Sequence, residues 1–177
     1  QQTVSTVTRV HRDSLTVMMR PLRPLVTVLF FLPAAATACP VGWTPSPAST
    51  TCFLVPPERS TSLFRCVDLC EEHGGTPACI GSAEENAMAV ELAASNTTAD
   101  GLWLGLYQNE TGLGPAKGWD RCVEGDAPSF TNWHEGQPED YHGYQRDCAW
   151  VEAGAGRWRA LACDGVRFDP LPWKLAE

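Results

Sequence analysis

The sequence predicts a secreted α+β domain that is stapled by disulfides. Two helical patterns come before residue 96 and short apolar strands come after residue 101, which is the order of an α+β domain. The chain has 177 residues and 8 cysteines, all at or after Cys39. Its hydrophobic fraction of 44% and charged fraction of 19% exclude a disordered chain. Its formal net charge of −8 argues against nucleic acid as a partner.

Residues 19–38 have the order of a secretory signal peptide. A basic stretch precedes the apolar run Leu25–Leu32, and small residues follow up to Ala38. We expect cleavage after Ala38 and a secreted, extracellular product; an uncleaved signal anchor, which would hold the protein at a membrane, is the alternative. Residues 1–18 have the character of an upstream segment and are expected to be disordered.

Secretion into an oxidising compartment favours disulfides over metal binding for the cysteines. Structural zinc is the competing interpretation, but there is no C-x-x-C motif and the histidines form no ligand pair. The segment from Cys39 to Cys52 is typical of a short hairpin closed by a disulfide. Asn96 and Asn109 begin N-x-Thr sequons, which are glycosylation acceptors in a secreted protein.

The two helices are expected from apolar spacing and from their end signals. The first covers residues 62–73, with Ser60, Thr61 and Ser62 as candidate N-cap hydroxyls and glycines that stop it. The second begins at a capping box formed by Ser82 and Glu85 and runs to about Ser95.

The strands are expected to surround one long irregular region. Residues 102–106 form a continuous apolar run typical of a buried strand, and 148–151 and 156–159 predict two more. Residues 107–147 are rich in Gly, Pro, Asn and Asp, and so long a region with little regular structure is usually functional or stapled.

A series of short motifs occurs in the order found in the C-type lectin-like domain. These are Cys39-Pro40-x-Gly42-Trp43, Cys70-x-x-x-Gly74-Gly75, Ile80-x-Ser82, Glu85-Asn86, Trp103-Leu104-Gly105-Leu106, Gly118-Trp119-Asp120, Asn132-Trp133, Gly136-Gln137-Pro138-Glu139 and Trp158 with Cys163. Residues 39–168 resemble the long form of this domain. The resemblance implies two helices, small antiparallel sheets and a long loop, and it assigns Trp119, Trp133, Trp150 and Trp158 to packing. Residues 169–177 are expected to be a divergent tail.

The resemblance also bears on the cysteines. It implies the disulfides Cys39–Cys52 and Cys148–Cys163. Family members normally end with a further cysteine that bonds the position of Cys70, and no cysteine follows Cys163 here. The pairing of Cys66, Cys70, Cys79 and Cys122 stays open among three arrangements, with Cys79 or Cys122 as substitute partners for the two helix cysteines.

In sugar-binding members of the family, a Ca²⁺ ion in the long loop also binds the sugar. Gln137-Pro138-Glu139 resembles the tripeptide associated with galactose, and the bond before Pro138 is expected to be cis. The other ligand positions have changed, because the glutamate position holds Arg146 and the Asn-Asp pair is Arg159-Ala160. Two cations at these positions would repel a divalent ion. We therefore expect the family's calcium site to be degenerate.

Several alternatives remain for this loop. We expect the two arginines to form ion pairs with Glu139, Asp140 or Asp147. Ca²⁺ is not a certain cofactor; a different Ca²⁺ site remains open, and so does a solvated acidic face, which we favour. The candidate metal ligands are Gln137, Glu139, Asp140 and Asp147, with Glu135 nearby. The candidate ligand-binding residues are Gln137, Glu139, Asp140, Tyr141, Tyr144, Arg146 and Arg159. Tyr141, His142 and Tyr144 either stack on a ligand or pack onto the loop.

The sequence therefore predicts a secreted lectin-like binding module whose partner is a glycan or glycoprotein. The alternative is calcium-independent binding of a protein or another surface ligand through the same long loop. An enzyme is not expected, since there is no G-x-S-x-G motif and no histidine in a recognisable catalytic or metal arrangement.

Overall fold

The computed structural model describes residues 5–11, 39–96, 100–108, 114–140 and 145–164. Within these ranges the helices are α1 (Leu63–Glu72) and α2 (Ala83–Asn96). The strands are β1 (Ser5–Thr6), β2 (Thr8–His11), β3 (Thr44–Pro45), β4 (Thr51–Leu54), β5 (Thr76–Pro77), β6 (Gly101–Tyr107), β7 (Arg121–Cys122), β8 (Cys148–Glu152) and β9 (Trp158–Leu161). The predicted α+β class is confirmed.

The larger sheet is built around β6, which is buried over six of its seven residues because its sequence is almost wholly apolar. Strand β8 pairs antiparallel with β6 and then with β9. Strands β1 and β7 pair with opposite ends of β6, β1 in parallel and β7 antiparallel. A second sheet has the strand order β3-β4-β2-β5.

The helix boundaries agree with the predictions to within a residue at each end. At α1, Ser62 has the extended backbone of an N-cap, but its side chain makes no capping hydrogen bond. At α2, the Ser82 hydroxyl accepts a hydrogen bond from the Glu85 N–H at 3.2 Å, as a capping box requires. The Glu85 carboxylate accepts one from the Gly81 N–H at 2.8 Å and two more from the hairpin hydroxyls of Ser46 and Ser49, both at 2.7 Å.

The disulfide pattern confirms two pairs and settles the open ones. Cys39–Cys52 and Cys148–Cys163 are bonded as the resemblance implied. Cys79 bonds Cys122, with 6.2 Å between their Cα atoms, and this bond joins the link before α2 to strand β7. Cys66 and Cys70 are buried free thiols. The expectation that Cys79 or Cys122 would pair with the helix cysteines is therefore wrong, since those two bond each other.

Residues 5–11 differ from the expectation that the segment before residue 19 is disordered. They form β1 and β2, and the side chains of Thr6, Val7 and Thr8 are completely buried. The physical reason is that β4 and β6 would otherwise leave backbone groups unpaired and that α1 would leave apolar surface uncovered beside them. The rest of the upstream segment and residues 19–38 lie outside the described residues.

The core contains the indoles of Trp103, Trp150 and Trp158, each at most 2% exposed. Trp119 and Trp133 are partly buried and pack against the main cluster, so the predicted packing role of these tryptophans is confirmed. In the ranges that the structure describes, neither helix is long and apolar enough to cross a lipid bilayer.

Candidate functional site

The base of the long loop is a group of aromatic rings set edge to face. The Trp119 and Trp133 ring centroids are 4.8 Å apart, and Trp133 and Phe130 each lie 5.7 Å from Trp158. Because Trp158 belongs to the buried strand β9, these contacts fix residues 119–133 against the sheet. The loop thus has its own anchored core.

A polar network holds the loop to helix α2. The Trp158 indole N–H donates to the Asn86 side-chain oxygen at 2.7 Å, and the Asn86 amide donates to the Gly156 carbonyl at 3.0 Å. The Asn132 amide reaches the same carbonyl from the loop at 2.7 Å. The sequence analysis placed Asn86 and Asn132 in family motifs without assigning them this role, and no spacing rule would have paired them.

Gln137 connects the candidate site to strand β9. Its side-chain oxygen accepts a hydrogen bond from the Ala160 N–H at 2.8 Å, and its side-chain nitrogen donates to Glu139 at 2.8 Å. The peptide bond between Gln137 and Pro138 is cis, as expected. Both ends of the Gln137 amide therefore make bonds within the protein.

Arg146 lies where the resemblance places a calcium-binding glutamate. Its guanidinium is 3.7 Å from the Glu139 carboxylate, and its backbone N–H donates to Asp140 at 3.4 Å. The Arg146 side chain is 17% exposed, whereas that of Glu139 is 51% exposed. The predicted ion pair between this arginine and the loop acids is confirmed for Glu139. The carboxylate of Glu139, a candidate metal ligand, is therefore paired with the guanidinium of Arg146.

Arg159 pairs with Glu152 at 3.7 Å, a partner that the sequence analysis did not name. Glu152 ends strand β8 and Arg159 lies on the adjacent strand β9, so strand pairing brings the two side chains together. The arginine side chain is 15% exposed. Arg159, which stands where the resemblance places an Asn ligand of calcium, thus forms an ion pair with Glu152 on the sheet.

Asp147 is the candidate residue in the least favourable environment. One of its carboxylate oxygens is buried without a hydrogen bond. Burial raises the pKa of the Asp147 carboxyl above its ordinary value of 3.8, and the negative charge of Asp140 adds to the shift. A neighbouring cation would relieve both costs.

Among the described residues, the candidate calcium ligands are not gathered around one point. In the described parts of the chain, no three His, Cys, Asp or Glu side chains are close enough together to hold a metal. Calcium needs about six to eight oxygen ligands, and the side-chain oxygen of Gln137 and one carboxylate oxygen of Glu139 already accept protein hydrogen bonds. The alternative set with Glu135, Asp140 and Asp147 is not gathered into one cluster.

Some candidate residues cannot be placed. Tyr141, His142 and Tyr144 lie outside the described residues, as does Asn109. Asn96 is the last residue of α2, and its side chain is not described. The site that the structure does bring together consists of Gln137, Glu139, Asp140 and Arg146, with Ala160 beneath them.

Comparison with known proteins agrees with this architecture. The model of the lectin C-type domain matches residues 59–168, more than half of the chain. The human scavenger receptor C-type lectin carbohydrate-recognition domain superposes with a TM-score of 0.56 at 22% identity, over 72% of this chain and 92% of that one. The corresponding mouse domain gives 0.54 at 23% identity, over 72% and 91%. At these identities the solved structures show the fold alone.

Three proteins are similar to this chain in sequence, and the matched region covers a different share of each. The α-N-acetylgalactosamine-specific lectin of Patiria pectinifera is 35% identical over 103 residues, which are 55% of this chain and 57% of that lectin. The secretory phospholipase A2 receptor of Oryctolagus cuniculus is 28% identical over 75% of this chain but only 8% of the receptor. A perlucin-like protein of Mytilus galloprovincialis is 26% identical over 79% of this chain and 89% of its own length. The matched family model, the fold and the disulfides together place the chain in the C-type lectin domain family.

Proposed function

We propose that this chain is a secreted binding module that takes carbohydrate on its long loop without a bridging calcium ion. The observation that carries the proposal is the Arg146–Glu139 ion pair, at 3.7 Å, on the same short loop as the internally bonded Gln137. A guanidinium thus stands where a metal would neutralise the carboxylate. The loop needs no added cation to balance this charge.

Carbohydrate is the ligand class that the chemistry and the family favour. The lectin-like domain is a carbohydrate-recognition fold in the solved neighbours. Sugar hydroxyls both donate and accept hydrogen bonds, so an exposed carboxylate beside a guanidinium offers them complementary partners. Glu139, half exposed, supplies the acceptor and Arg146 the donor. Secretion belongs to the same proposal and rests on the basic, apolar and small-residue order of residues 19–38.

The test is a glycan array probed with the purified full chain in Ca²⁺ and again in EDTA. We expect the same glycans to be bound in both buffers, with intensities within twofold. Arg146→Ala should lower the signal at least tenfold. Arg65→Ala is the matched control, because Arg65 is an exposed arginine paired with acids on helix α1 and should leave binding unchanged. Binding that disappears in EDTA would refute the calcium-free site.

The second candidate is a protein ligand bound through the same loop. The lack of a fit to calcium favours it too, because a surface held by internal ion pairs can meet a folded partner without metal. One relative is named as a receptor for secretory phospholipase A2, which is a protein ligand, although this chain covers only 8% of the length of that receptor. An array with no bound glycan in either buffer would favour this candidate over carbohydrate.

A further inference from the structure

The middle of the segment Ser5–His11 is completely buried, although residues 12–38 separate it from the rest of the domain in sequence. Thr6, Val7 and Thr8 have no exposed surface. Val7 belongs to the main hydrophobic cluster together with residues of β6 and β8. A segment of this kind is part of the core and not an appendage on the surface.

The remainder of the domain forms a slot for this segment, lined by β4, β5, β6 and helix α1, which we call the strand slot. On one side Thr6 pairs with Trp103 of β6. On the other, β2 pairs with β4 and β5, and Thr8 aligns with both. Between them the Ala78 N–H donates to the Val7 carbonyl at 2.7 Å. The segment thus completes both sheets.

The floor of the strand slot contains the two free thiols. The Thr8 hydroxyl donates to the Cys70 sulfur at 3.0 Å, and the Thr6 hydroxyl lies 3.7 Å from the same sulfur. Cys66 and Cys70 have no exposed surface. Because β1 and β2 lie against these thiols, the segment shields them from water and from reagents.

Further contacts fix the position of the segment along the slot. A Cβ atom at Gly75 would lie 2.6 Å from both the Arg9 carbonyl oxygen and the Thr8 methyl group, so a glycine is needed for this close approach. The Arg9 guanidinium donates to the carbonyl of Cys79 at 3.4 Å and to that of Glu124 at 3.2 Å. Backbone pairing, shape and side-chain contacts therefore select one register.

We propose that Ser5–His11 is a donor strand and that the strand slot binds it as a separable segment of the same chain. All of its described contacts with residues 39–164 are non-covalent, and they include pairing on two sheets, complete burial of three side chains and the Arg9 anchors. Strand addition of this kind draws its affinity from backbone hydrogen bonds and its specificity from alternate side-chain pockets. A single cut made in the folded chain between Arg12 and Cys39 therefore leaves the strand bound.

The first test uses the full chain with a protease recognition sequence inserted after Arg23. The purified protein is cut completely and then passed over a size-exclusion column in native buffer. We expect the peptide that contains residues 5–11 to elute with the domain and to separate from it only in denaturant, as read by mass spectrometry. Loss of the peptide in native buffer overturns the proposal, whether or not the domain stays folded.

The second test uses the proximity of Thr8 and Cys70. In the full chain, Thr8→Cys should form a disulfide with Cys70 under mild oxidation, so that the two cut fragments stay linked in a non-reducing gel. The link should disappear when Cys70→Ser is added. Arg9→Cys is the position control, because the Arg9 side chain is directed to Cys79 and Glu124 instead. Equal linking by Arg9→Cys, or a link that joins two copies of the chain, contradicts the proposed placement.

Discussion

The replacement Asn86→Ala tests whether the polar network between α2 and the long loop contributes to stability as the geometry indicates. Asn86 is 7% exposed and Trp158 is 1% exposed, so water cannot replace the lost amide. The indole N–H of Trp158 would lose its acceptor, which lies at 2.7 Å, and Gly156 would lose one of two donors. A buried unpaired donor costs about 1–3 kcal/mol and the second bond about 1 kcal/mol, which gives a loss of about 2–4 kcal/mol.

The assay is urea unfolding followed by tryptophan fluorescence, with thermal unfolding as a second measurement. For a domain of this size, each kcal/mol lowers Tm by roughly 3–5 °C, so a fall of about 6–20 °C is expected. The matched control is Asn132→Ala, which removes a donor from the same Gly156 carbonyl while Asn86 remains bonded to it. We expect that control to cost about 1 kcal/mol. Equal losses for the two variants, or less than 1 kcal/mol for Asn86→Ala, would refute this reasoning.

Three further predictions concern the candidate site and the thiols. Because burial raises the pKa of Asp147, the folded chain binds that proton more tightly than the unfolded chain, and stability falls as pH rises from 3.8 through the raised pKa; Asp147→Asn should therefore raise the urea midpoint more at pH 7 than at pH 3. Arg146→Glu combined with Arg159→Asn and Ala160→Asp should raise Ca²⁺ affinity at least tenfold by calorimetry, and no change would show that the calcium ligands are mapped to the wrong positions. Burial raises the pKa of Cys66 to about 12, so the native chain should not react with a thiol reagent at pH 8 whereas the urea-unfolded chain should, and fast labelling of the native chain would contradict this.

The elements that local sequence determines were predictable. Helix α2 follows from a capping box, and strand β6 from a run of apolar residues, because both signals act over a few neighbouring positions. The Cys79–Cys122 bond was not predictable, since its partners are 43 positions apart and only the fold brings them together. Strands β1 and β2 were missed for the same reason. Their short alternating sequence does not by itself predict a strand, because the partners that pair with it, β4 and β6, are distant in sequence.

The candidate site was predictable in its residue types and less so in its contacts. The Arg146–Glu139 pair follows from two opposite charges on one loop, and the structure confirms it. The Arg159–Glu152 pair depends on the register of β8 and β9, which no local pattern specifies. The two hydrogen bonds of the Gln137 amide were likewise not predictable, because one of its two partners, Ala160, lies on a strand that is distant in sequence.

The internal contacts of the loop bear on the proposal that it binds its ligand without metal. A calcium ion at such a site would both order the loop and bind the ligand, so its loss would remove two functions at once. Here the ordering is supplied by the edge-to-face contacts of Trp133 with Trp119 and Trp158, and by the Gln137 bond to Ala160. Since these contacts need no metal, EDTA should leave the shape of residues 130–140 unchanged. Ligand binding through Arg146 and Glu139 would then depend on ionic strength, because salt weakens a partly exposed charge pair and its attraction for polar ligands.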